Sequence, residues 1–321
     1  MRLLVTGGAG FIGSNYIRSI VNGKSPHVSE IIVLDKLTYA GSLSNLGGLP
    51  DNSYQFIEGD ISNVDLLERI IPKVDSVINF AAESHVDRSI TNPMVFVETN
   101  IKGVAAILSV IRKYPDKRFV QVSTDEVYGS ISTGSWTEES PLLPNSPYAA
   151  SKASSDLIVR SYRKTYGLNV CITRSSNNYG RNQNPEKMIP HAITNLLRGQ
   201  KVKLYGNGAN VREWLHVDDN CRAIHETLLK GEPGQIYNIG SDQQLSNLEL
   251  VNLILEIMGL DSSHIESVAD RPGHDFRYSV DFTKASERLG FLPEVKIKRG
   301  IEETITWYRE NQEWWKKFIL K

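Results

Sequence analysis

The sequence contains very little cysteine, with only Cys171 and Cys221 among 321 residues. Two cysteines cannot supply a disulfide framework or a four-cysteine zinc site, so the fold must be stabilised by its own core. This scarcity excludes the small disulfide-rich secreted proteins. It predicts a protein of the reducing cytoplasm.

An excess of charge of one sign is also missing, because 36 Lys and Arg residues face 37 Asp and Glu residues, for a net charge of −1. A chain so balanced has no global field for nucleic acid or an acidic membrane, so neither is an expected partner. No unbroken apolar run approaches the roughly 18 residues that span a bilayer. The N-terminus runs directly into Leu3-Leu4-Val5, which predicts a strand and not a signal peptide. With 40% hydrophobic residues, the composition is that of a folded globular protein.

The first half of the chain alternates short apolar runs with longer helical patterns. The apolar runs lie at 3–5, 31–34, 76–80, 119–122 and 170–172, and the helical patterns at 11–22, 64–70, 92–114 and 148–166, with later ones at 187–199, 218–230 and 246–258. Unbroken apolar strands are typical of a parallel sheet that is covered on both faces. The alternation therefore predicts an α/β fold with a doubly wound parallel sheet over residues 1–178. A smaller, mixed α/β, substrate-binding domain is expected over 179–321, and a strand near 235–240 is a candidate to return to the first sheet.

A glycine-rich loop follows the first strand and precedes the first helix. Gly7, Gly10 and Gly13 have the spacing that lets a backbone turn tightly and approach a pyrophosphate, with Phe11 and Ile12 opening the helix. Asp35 follows 22 residues after Gly13, at the end of the next strand. Its carboxylate would accept hydrogen bonds from ribose hydroxyls and repel a 2′-phosphate, which favours NAD over NADP. The neighbouring Lys36 works against that preference. The fold is therefore expected to be Rossmann-like.

Two more loops fall at strand ends, where open α/β sheets bind their ligands. Asp60 and Ile61 are expected to reach the adenine side of the cofactor, although Asp60 could instead cap the helix that follows it. Ala81, Ala82 and Ser84 are expected to let the cofactor approach the backbone closely.

Tyr148 and Lys152 form the candidate base of a redox reaction. They are four residues apart near the start of a long helix, so they share one face. A phenol has an ordinary pKa near 10 and is a poor base at pH 7. A nearby ammonium and a cationic nicotinamide would both favour the phenolate. Thr124, at the end of the preceding strand, can hydrogen-bond to the same hydroxyl.

These residues resemble the extended short-chain dehydrogenase/reductase family, and within it the NAD-dependent epimerase/dehydratase group. The resemblance runs from the first strand to about residue 281. It rests on the glycine spacing, on Thr124 and Tyr148-x-x-x-Lys152, and on the strings at 81–89, 124–129, 174–180, 185–190, 210–219 and 271–275.

The resemblance assigns chemical roles to two adjacent acids. It implies that Glu126 removes the proton at carbon 5 of a nucleotide-linked glucose and that Asp125 protonates the departing hydroxyl at carbon 6. Two neighbouring carboxyl groups can hold different protonation states, because charging both is costly. The expected reaction is an internal redox dehydration of dTDP-glucose with tightly bound NAD, which makes the protein a hydro-lyase of deoxysugar biosynthesis.

The resemblance also implies the residues that would contact the ligands. Further cofactor contacts are expected at Thr99 and Asn178, in addition to those of Tyr148 and Lys152. The expected substrate-binding residues are Ser84, His85, Thr124, Asn177, Glu186, Lys187, Met188, Arg212, Asn247, Arg271, His274 and Tyr278. The two arginines would bind the diphosphate. Asn247 could instead cap the helix that follows it.

Several alternatives remain open from the sequence. Family members usually carry a proline and aromatics where this chain has Arg181-Asn182-Gln183-Asn184, so another nucleotide such as UDP is an alternative to dTDP. A nucleotide-sugar 4-epimerase would not need the Asp-Glu pair, and a non-enzymatic NAD(H)-sensing protein would not need Tyr148 and Lys152. The histidines show no metal-ligand spacing, so no metal is expected. Family members pair the helices at about 92–114 and 148–166 into a homodimer, and Val97, Ile101, Val104, Ile107 and Leu108 recur there at helical spacing.

Overall fold

The computed structural model describes residues 1–25, 27–270 and 275–319. Within them the chain forms twelve β-strands and twelve α-helices. The strands are β1 (Arg2–Thr6), β2 (Glu30–Asp35), β3 (Gln55–Glu58), β4 (Ser76–Asn79), β5 (Arg118–Thr124), β6 (Asn169–Ser175), β7 (Asn177–Tyr179), β8 (Val202–Tyr205), β9 (Val211–His216), β10 (Ile236–Ile239), β11 (Gln244–Ser246) and β12 (Ile265–Val268). The helices are α1 (Phe11–Ser19), α2 (Val64–Ile70), α3 (Val86–Thr91), α4 (Pro93–Phe96), α5 (Val104–Ile111), α6 (Pro147–Tyr166), α7 (Met188–Leu197), α8 (Val217–Lys230), α9 (Asn247–Met258), α10 (Thr283–Leu289), α11 (Ile297–Glu310) and α12 (Gln312–Ile319).

Seven strands form one parallel sheet in the order β10-β6-β5-β4-β1-β2-β3. The chain winds outward in both directions from the centre, so the predicted doubly wound, Rossmann-like class is confirmed. Both faces of the sheet are covered. Leu3 and Val5 pack on one face with α1 and α8, while Leu4 and Val77 pack on the other with α2, α5 and α6. This two-sided burial explains the unbroken apolar runs of the sequence.

Strand β3 is the element of this sheet that the apolar pattern did not predict. It pairs only with β2, at the edge of the sheet, and its residues are exposed or half-buried. An edge strand has one neighbour and buries less surface, so it does not need an unbroken apolar run.

Helix α4 continues through a wider turn at Val97–Gly103 into α5, which gives one helix over Pro93–Ile111. This helix has 19 residues and a mean hydropathy of 1.6, so by length and composition alone it could cross a membrane. The criterion of an unbroken apolar run does not detect this helix in the sequence, because Glu98 and Lys102 interrupt its apolar residues. Its apolar residues instead serve the core, because Val104, Ile107 and Leu108 are buried against the sheet and α6.

The remaining strands form two small sheets, β11-β9-β7 and β12-β8. They share a core with α7, α9, α11 and α12, and the C-terminal aromatics are part of it. Trp315 is buried, and its indole N–H donates to the Tyr308 carbonyl oxygen at 2.8 Å. Strand β10 and helix α8 lie with the large sheet instead. The division of the chain after residue 178 stays a prediction.

Gly300 on α11 provides a test of this C-terminal packing. A Cβ there would meet the Tyr179 hydroxyl and lie 2.9 Å from two of its ring carbons, and Tyr179 is fully buried. We expect Gly300→Ala to lower the free energy of unfolding by about 1–3 kcal/mol, as overpacked cores do, despite the better helix propensity of alanine. Urea denaturation measures this loss.

The matched control is Tyr179→Phe, whose hydroxyl has no hydrogen-bond partner among the described residues. Its removal alone should cost little. In the double variant the contact with the hydroxyl is gone while the two ring-carbon contacts at 2.9 Å remain, so the penalty of Gly300→Ala should shrink without vanishing. Equal penalties in both backgrounds would show that Tyr179 does not limit the packing of α11.

Candidate active site

The glycine loop between β1 and α1 is built for close backbone approach. Gly7 has φ of +67°, and a Cβ there would lie 2.6 Å from the Ala81 Cα. A Cβ on Gly13 would collide with the Gly7 carbonyl and lie 2.8 Å from the Gly8 Cα. Larger residues would therefore push apart the loop, the helix and the strand-end backbone beside them. The free N–H groups of the first turn of α1 remain directed at the cleft, where a phosphate can accept them.

Asp35 closes the adenosine side of this cleft. Its carboxylate accepts the Ala9 N–H at 2.9 Å and the Leu37 N–H at 2.8 Å. Burial raises the pKa of Asp35, and the two backbone N–H groups oppose that rise. Each carboxylate oxygen has a second lone pair, so the group can also accept ribose hydroxyls.

Lys36 is engaged with the second acid of this pocket. Its ammonium lies 2.6 Å from a carboxylate oxygen of Asp60. Asp60 also accepts the Ser62 N–H, while Asn63 caps α2, so Asp60 is not the cap of that helix. The ion pair neutralises the cation that would otherwise favour a 2′-phosphate, which strengthens the predicted preference for NAD.

The predicted cofactor residues line two adjoining cavities along this cleft. The adenosine cavity is lined by Gly7, Gly10, Asp35, Lys36, Asp60, Ile61, Ala81, Ala82 and Thr99, and the second cavity by Gly7, Gly10, Phe11, Ile12, Gly13, Ala82, Ser84, Tyr148 and Lys152. Asn178 lines neither of them. Its amide accepts a hydrogen bond from Asn220 and donates one to the Ser176 carbonyl, so it ties β7 to α8.

Of the four residues that depart from the family pattern, Arg181 lies apart from Gln183 and Asn184. Arg181 donates to the Asn15 side chain at 2.7 Å and pairs with Asp218 at 2.9 Å, and it lines neither cofactor cavity. Gln183 and Asn184 line the second cofactor cavity, which the sequence reasoning missed. The departures therefore bear on the cofactor side of the cleft.

The candidate catalytic residues come from two elements. Thr124 ends β5, and Asp125 and Glu126 follow at once in a 3₁₀ turn over Asp125–Tyr128. Tyr148 and Lys152 lie in the first two turns of α6, which Ser146 caps and Pro147 opens. Both elements meet at the carboxyl edge of the sheet.

Asp125 is suited to remain a protonated acid. It is almost completely buried, and one of its carboxyl oxygens has no hydrogen-bond partner among the described residues. Burial first, then the charges of Glu126 and Glu213, raise the pKa of Asp125 well above its usual range. Thr124 donates to its other oxygen at 3.2 Å. A neutral Asp125 can donate a proton, while Glu126 lines the adjacent open cavity.

Tyr148 and Lys152 differ from the expectation in one respect. Burial and the charge of Glu126 raise the pKa of Tyr148 well above 10, and only a hydrogen bond with Thr124 lowers it. The Lys152 ammonium donates to the Val122 carbonyl at 2.7 Å, and burial lowers its pKa to about 8. The chain alone thus holds the phenol neutral, because burial and the charge of Glu126 both oppose its ionisation.

A cavity of about 440 Å³ adjoins these residues and is large enough for much of a nucleotide sugar. The predicted residues that line it are Ser84, His85, Glu126, Asn177, Glu186, Lys187, Met188, Arg212 and Asn247. Sequence reasoning missed a further group: Val86, Asp87, His191, Val202, Lys203, Leu204, Tyr205 and Trp214. Four of these form β8, which carries no motif of its own.

Arg212 is held in place at one end of the cavity. Its guanidinium carbon lies 4.4 Å from the centre of the Tyr278 ring, and one of its nitrogens donates to the Asp275 carbonyl at 2.9 Å. Tyr278 in turn donates to the Asp275 carboxylate at 2.5 Å. Arg271 and His274, also predicted to bind substrate, lie outside the described residues.

The opposite wall of the cavity joins distant parts of the chain. The Lys187 ammonium donates to the Ser84 carbonyl, and Arg88 on α3 donates to the Glu186 carboxylate at 3.1 Å. The Arg88 guanidinium also stacks 3.8 Å from the centre of the Tyr39 ring. His85 caps α3, and burial followed by the charge of Lys187 lowers its pKa.

No group of three potential metal ligands occurs within residues 1–25, 27–270 and 275–319. The phosphate-binding loop lies beside Thr124, Tyr148 and Lys152 at the carboxyl edge of a doubly wound sheet. This combination defines a dinucleotide-dependent enzyme of the extended short-chain dehydrogenase/reductase type.

Comparison with known proteins narrows this class. The profile of the GDP-mannose 4,6 dehydratase family matches residues 4–304. A dTDP-glucose 4,6-dehydratase of Streptomyces niveus is 50% identical over 318 residues, which are 98% of this chain and 95% of the relative. The chain therefore belongs to the GDP-mannose 4,6 dehydratase family, in which it resembles the dTDP-glucose 4,6-dehydratases.

Solved structures agree with this assignment. DesIV, a dTDP-glucose 4,6-dehydratase from Streptomyces venezuelae crystallised with NAD and TYD, has a TM-score of 0.97 at 54% identity, covering 99% of this chain and all of its own. A UDP-glucose 4-epimerase from Thermotoga maritima, solved with UDP-glucose, has a TM-score of 0.89 at 32% identity, covering 97% of this chain and all of its own. The fold is common to both activities, so the site residues must distinguish them.

Proposed function

We propose that this protein is a hydro-lyase that converts dTDP-glucose to dTDP-4-keto-6-deoxyglucose with NAD as a retained cofactor. The observation that carries the proposal is the pair formed by buried Asp125 and half-buried Glu126, beside Tyr148 and Thr124. An epimerase needs only a hydride acceptor and a base at carbon 4. A dehydratase also needs a base at carbon 5 and an acid at carbon 6, and this chain supplies both.

The residues of the two cofactor cavities would hold NAD, which would supply the acceptor for a hydride from carbon 4 of the sugar and the donor of a hydride to carbon 6. Tyr148, aided by Thr124, takes the proton of the 4-hydroxyl. A positive charge close to the phenol favours its ionised form, which offsets the burial that holds it neutral in the chain alone. The buried Lys152 ammonium contributes positive charge on the same helix face.

Glu126 and Asp125 carry out the loss of water. A ketone at carbon 4 acidifies the proton at carbon 5, and Glu126 faces the cavity where that proton would lie. Asp125, held neutral by burial and by its acidic neighbours, donates its proton to the departing hydroxyl at carbon 6. The two carboxyl groups thus take opposite roles because their surroundings differ.

The nucleotide is the finer part of the proposal. The relatives that are about 50% identical to this chain are named for dTDP-glucose. Arg181, which differs from the family pattern, does not line the cavity proposed for the nucleotide sugar. Both points favour dTDP over UDP. The 4-epimerase alternative is supported by a solved structure of lower identity, 32%. It would give the Asp125-Glu126 pair no role in the reaction.

A homodimer is the proposed assembly. Helices α3 and α4 and the wide turn after α4 pack against α6, and together they expose a group of apolar side chains: Ile90, Met94, Val95, Val97 and Leu157. Val104, Ile107 and Leu108 of the predicted interface are instead buried in the core. An exposed apolar patch on paired helices suits a two-fold contact with a second copy. The cytoplasm remains the proposed location.

Replacing Glu126 separates the two half-reactions. Glu126→Gln keeps Tyr148, Thr124 and Lys152, so oxidation at carbon 4 should proceed while proton removal at carbon 5 stops. We expect bound NADH and a 4-keto sugar that has not lost water to accumulate, with a loss of 6-deoxy product of at least about 100-fold. NADH absorbance and solvent deuterium at carbon 5, observed by NMR, measure the two steps.

Tyr148→Phe is the matched variant for the opposite half, because it should prevent any rise of NADH absorbance. Near wild-type formation of 6-deoxy product by Glu126→Gln would remove Glu126 as the base and revive the epimerase alternative.

The Asp35 pocket predicts the cofactor that the purified protein carries. Because Asp35 occupies the ribose side and Lys36 is paired with Asp60, we expect NAD(H) and little NADP(H). Release by denaturation followed by an enzymatic assay for each cofactor measures the ratio. Mostly NADP(H) would contradict the role given to Asp35.

The apolar patch predicts the state of association. Light scattering at micromolar concentration should give twice the mass of one chain, 36.0 kDa. Met94→Asp together with Leu157→Asp should shift the protein toward monomer, whereas Leu292→Asp, an exposed leucine elsewhere, should not. A wild-type monomer mass would rule out the proposed dimer.

A further inference from the structure

Arg174 on β6 is a fully buried cation outside the set of catalytic residues. Its Nε donates to the Asp156 carboxylate at 2.9 Å, and its Nη1 donates to the Tyr128 hydroxyl at 2.7 Å. Neither Arg174 nor Asp156 is exposed to solvent. Burying an ion pair costs several kcal/mol per ion in desolvation, and apolar residues of similar volume often stabilise a protein as well or better. Stability alone is therefore a weak reason for this pair.

The two partners of Arg174 belong to the two catalytic elements. Tyr128 is the last residue of the 3₁₀ turn that begins with Asp125 and Glu126. Asp156 lies on α6, four residues after Lys152 and eight after Tyr148. One guanidinium therefore connects the element of the elimination step to the element of the oxidation step.

The Tyr128 end of this connection is rigid. The Tyr128 hydroxyl donates to Asn238 on β10 at 2.7 Å, and its ring stacks on Trp136 with centroids 6.1 Å apart. The Asn238 amide donates to the Trp136 carbonyl at 3.0 Å. The turn that presents Asp125 and Glu126 is thus fixed to the sheet through its last residue.

The Asp156 end acts on α6 from within the core. Asp156 and Lys152 are neighbours on one face of this helix, and the Lys152 ammonium is anchored on the Val122 carbonyl of β5. The first turns of α6 are therefore held at two points, by Val122 and by Arg174.

We propose that Arg174, through Tyr128 and Asp156, sets the distance between the oxidation and elimination residues around a single sugar ring. This inference rests on the proposed function. Carbons 4, 5 and 6 are consecutive atoms of one substrate, so a relative shift of the two elements misplaces one set of residues when the other is aligned. Misplacement of about 1 Å can cost a factor of about 100 in rate. Arg174, Tyr128 and Asp156 are positioning residues and touch no reacting atom.

The two partners can be released one at a time. Tyr128→Phe removes the hydrogen bonds of the hydroxyl to Arg174 and Asn238 and keeps the ring, while α6 stays tied to Arg174. Oxidation at carbon 4 should therefore stay within about twofold, and elimination should slow by about tenfold or more. Asp156→Asn keeps the shape but removes the charge that holds α6. It should slow oxidation by about tenfold and leave little NADH to accumulate.

Single-turnover mixing of each holoenzyme with dTDP-glucose, without added cofactor, measures both steps. The rise of NADH absorbance reports oxidation, and its decay together with deuterium entry at carbon 5 reports elimination. Tyr237→Phe is the matched control. Tyr237 is a buried tyrosine on β10, the strand that also carries Asn238, and its hydroxyl accepts the Glu232 N–H at 3.0 Å. The substitution should change neither step.

The outcomes separate the inference from the proposed function. Opposite effects of Tyr128→Phe and Asp156→Asn on the two steps support positioning. Equal slowing of both steps in both variants, or no change in either, overturns it and leaves Arg174 a structural ion pair. If Tyr128→Phe does not yield folded holoenzyme, the ratio of the two steps in Asp156→Asn decides alone. A wild-type protein that forms no 6-deoxy product overturns the proposed function itself.

Discussion

The site depends on the parallel direction of seven strands, which brings all their carboxyl ends to one edge of the sheet. The phosphate loop follows β1, Asp35 ends β2, Ala81 and Ala82 follow β4, and Thr124 ends β5. Because β5 and β6 pair in register, with Thr124 opposite Ser175, the substrate-side residues after β6 begin at the same edge. The cofactor and the sugar can therefore meet only there, and burial at this edge sets the protonation of Asp125 and Tyr148.

Much of this arrangement could be predicted from the sequence, for physical reasons. Strands buried on both faces must be apolar throughout, and a pyrophosphate loop needs glycine at Gly7 and Gly13, so both leave a local signal. Strand β3 does not, because an edge strand is half exposed. The contacts of Asn178 and Arg181 could not be predicted from the local sequence, because their partners lie far away along the chain. Asn178 bonds to Asn220, and Arg181 contacts Asn15 and Asp218.

The chemistry of the site is divided between two elements that the sequence separates. A short turn after β5 carries the acid and the base of elimination, and α6 carries the residues of oxidation. The turn distinguishes a dehydratase from an epimerase, because it carries the Asp125-Glu126 pair that an epimerase would not need. Buried polar contacts from Lys152 to Val122 and from Arg174 to Tyr128 and Asp156 connect the two elements. Hydrogen bonds and ion pairs between these buried polar groups fix the positions of the elements they connect, although burying the groups costs desolvation free energy.

The central claim is that one bound cofactor carries a hydride from carbon 4 to carbon 6 of the same sugar. It is tested most directly with dTDP-glucose that carries deuterium at carbon 4, mixed with unlabelled substrate and analysed by mass spectrometry and NMR. The account predicts a product lighter by one water, with the deuterium in the new methyl group of the labelled molecules only. Deuterium that remains at carbon 4 with unchanged mass, or that appears in initially unlabelled molecules, would contradict it.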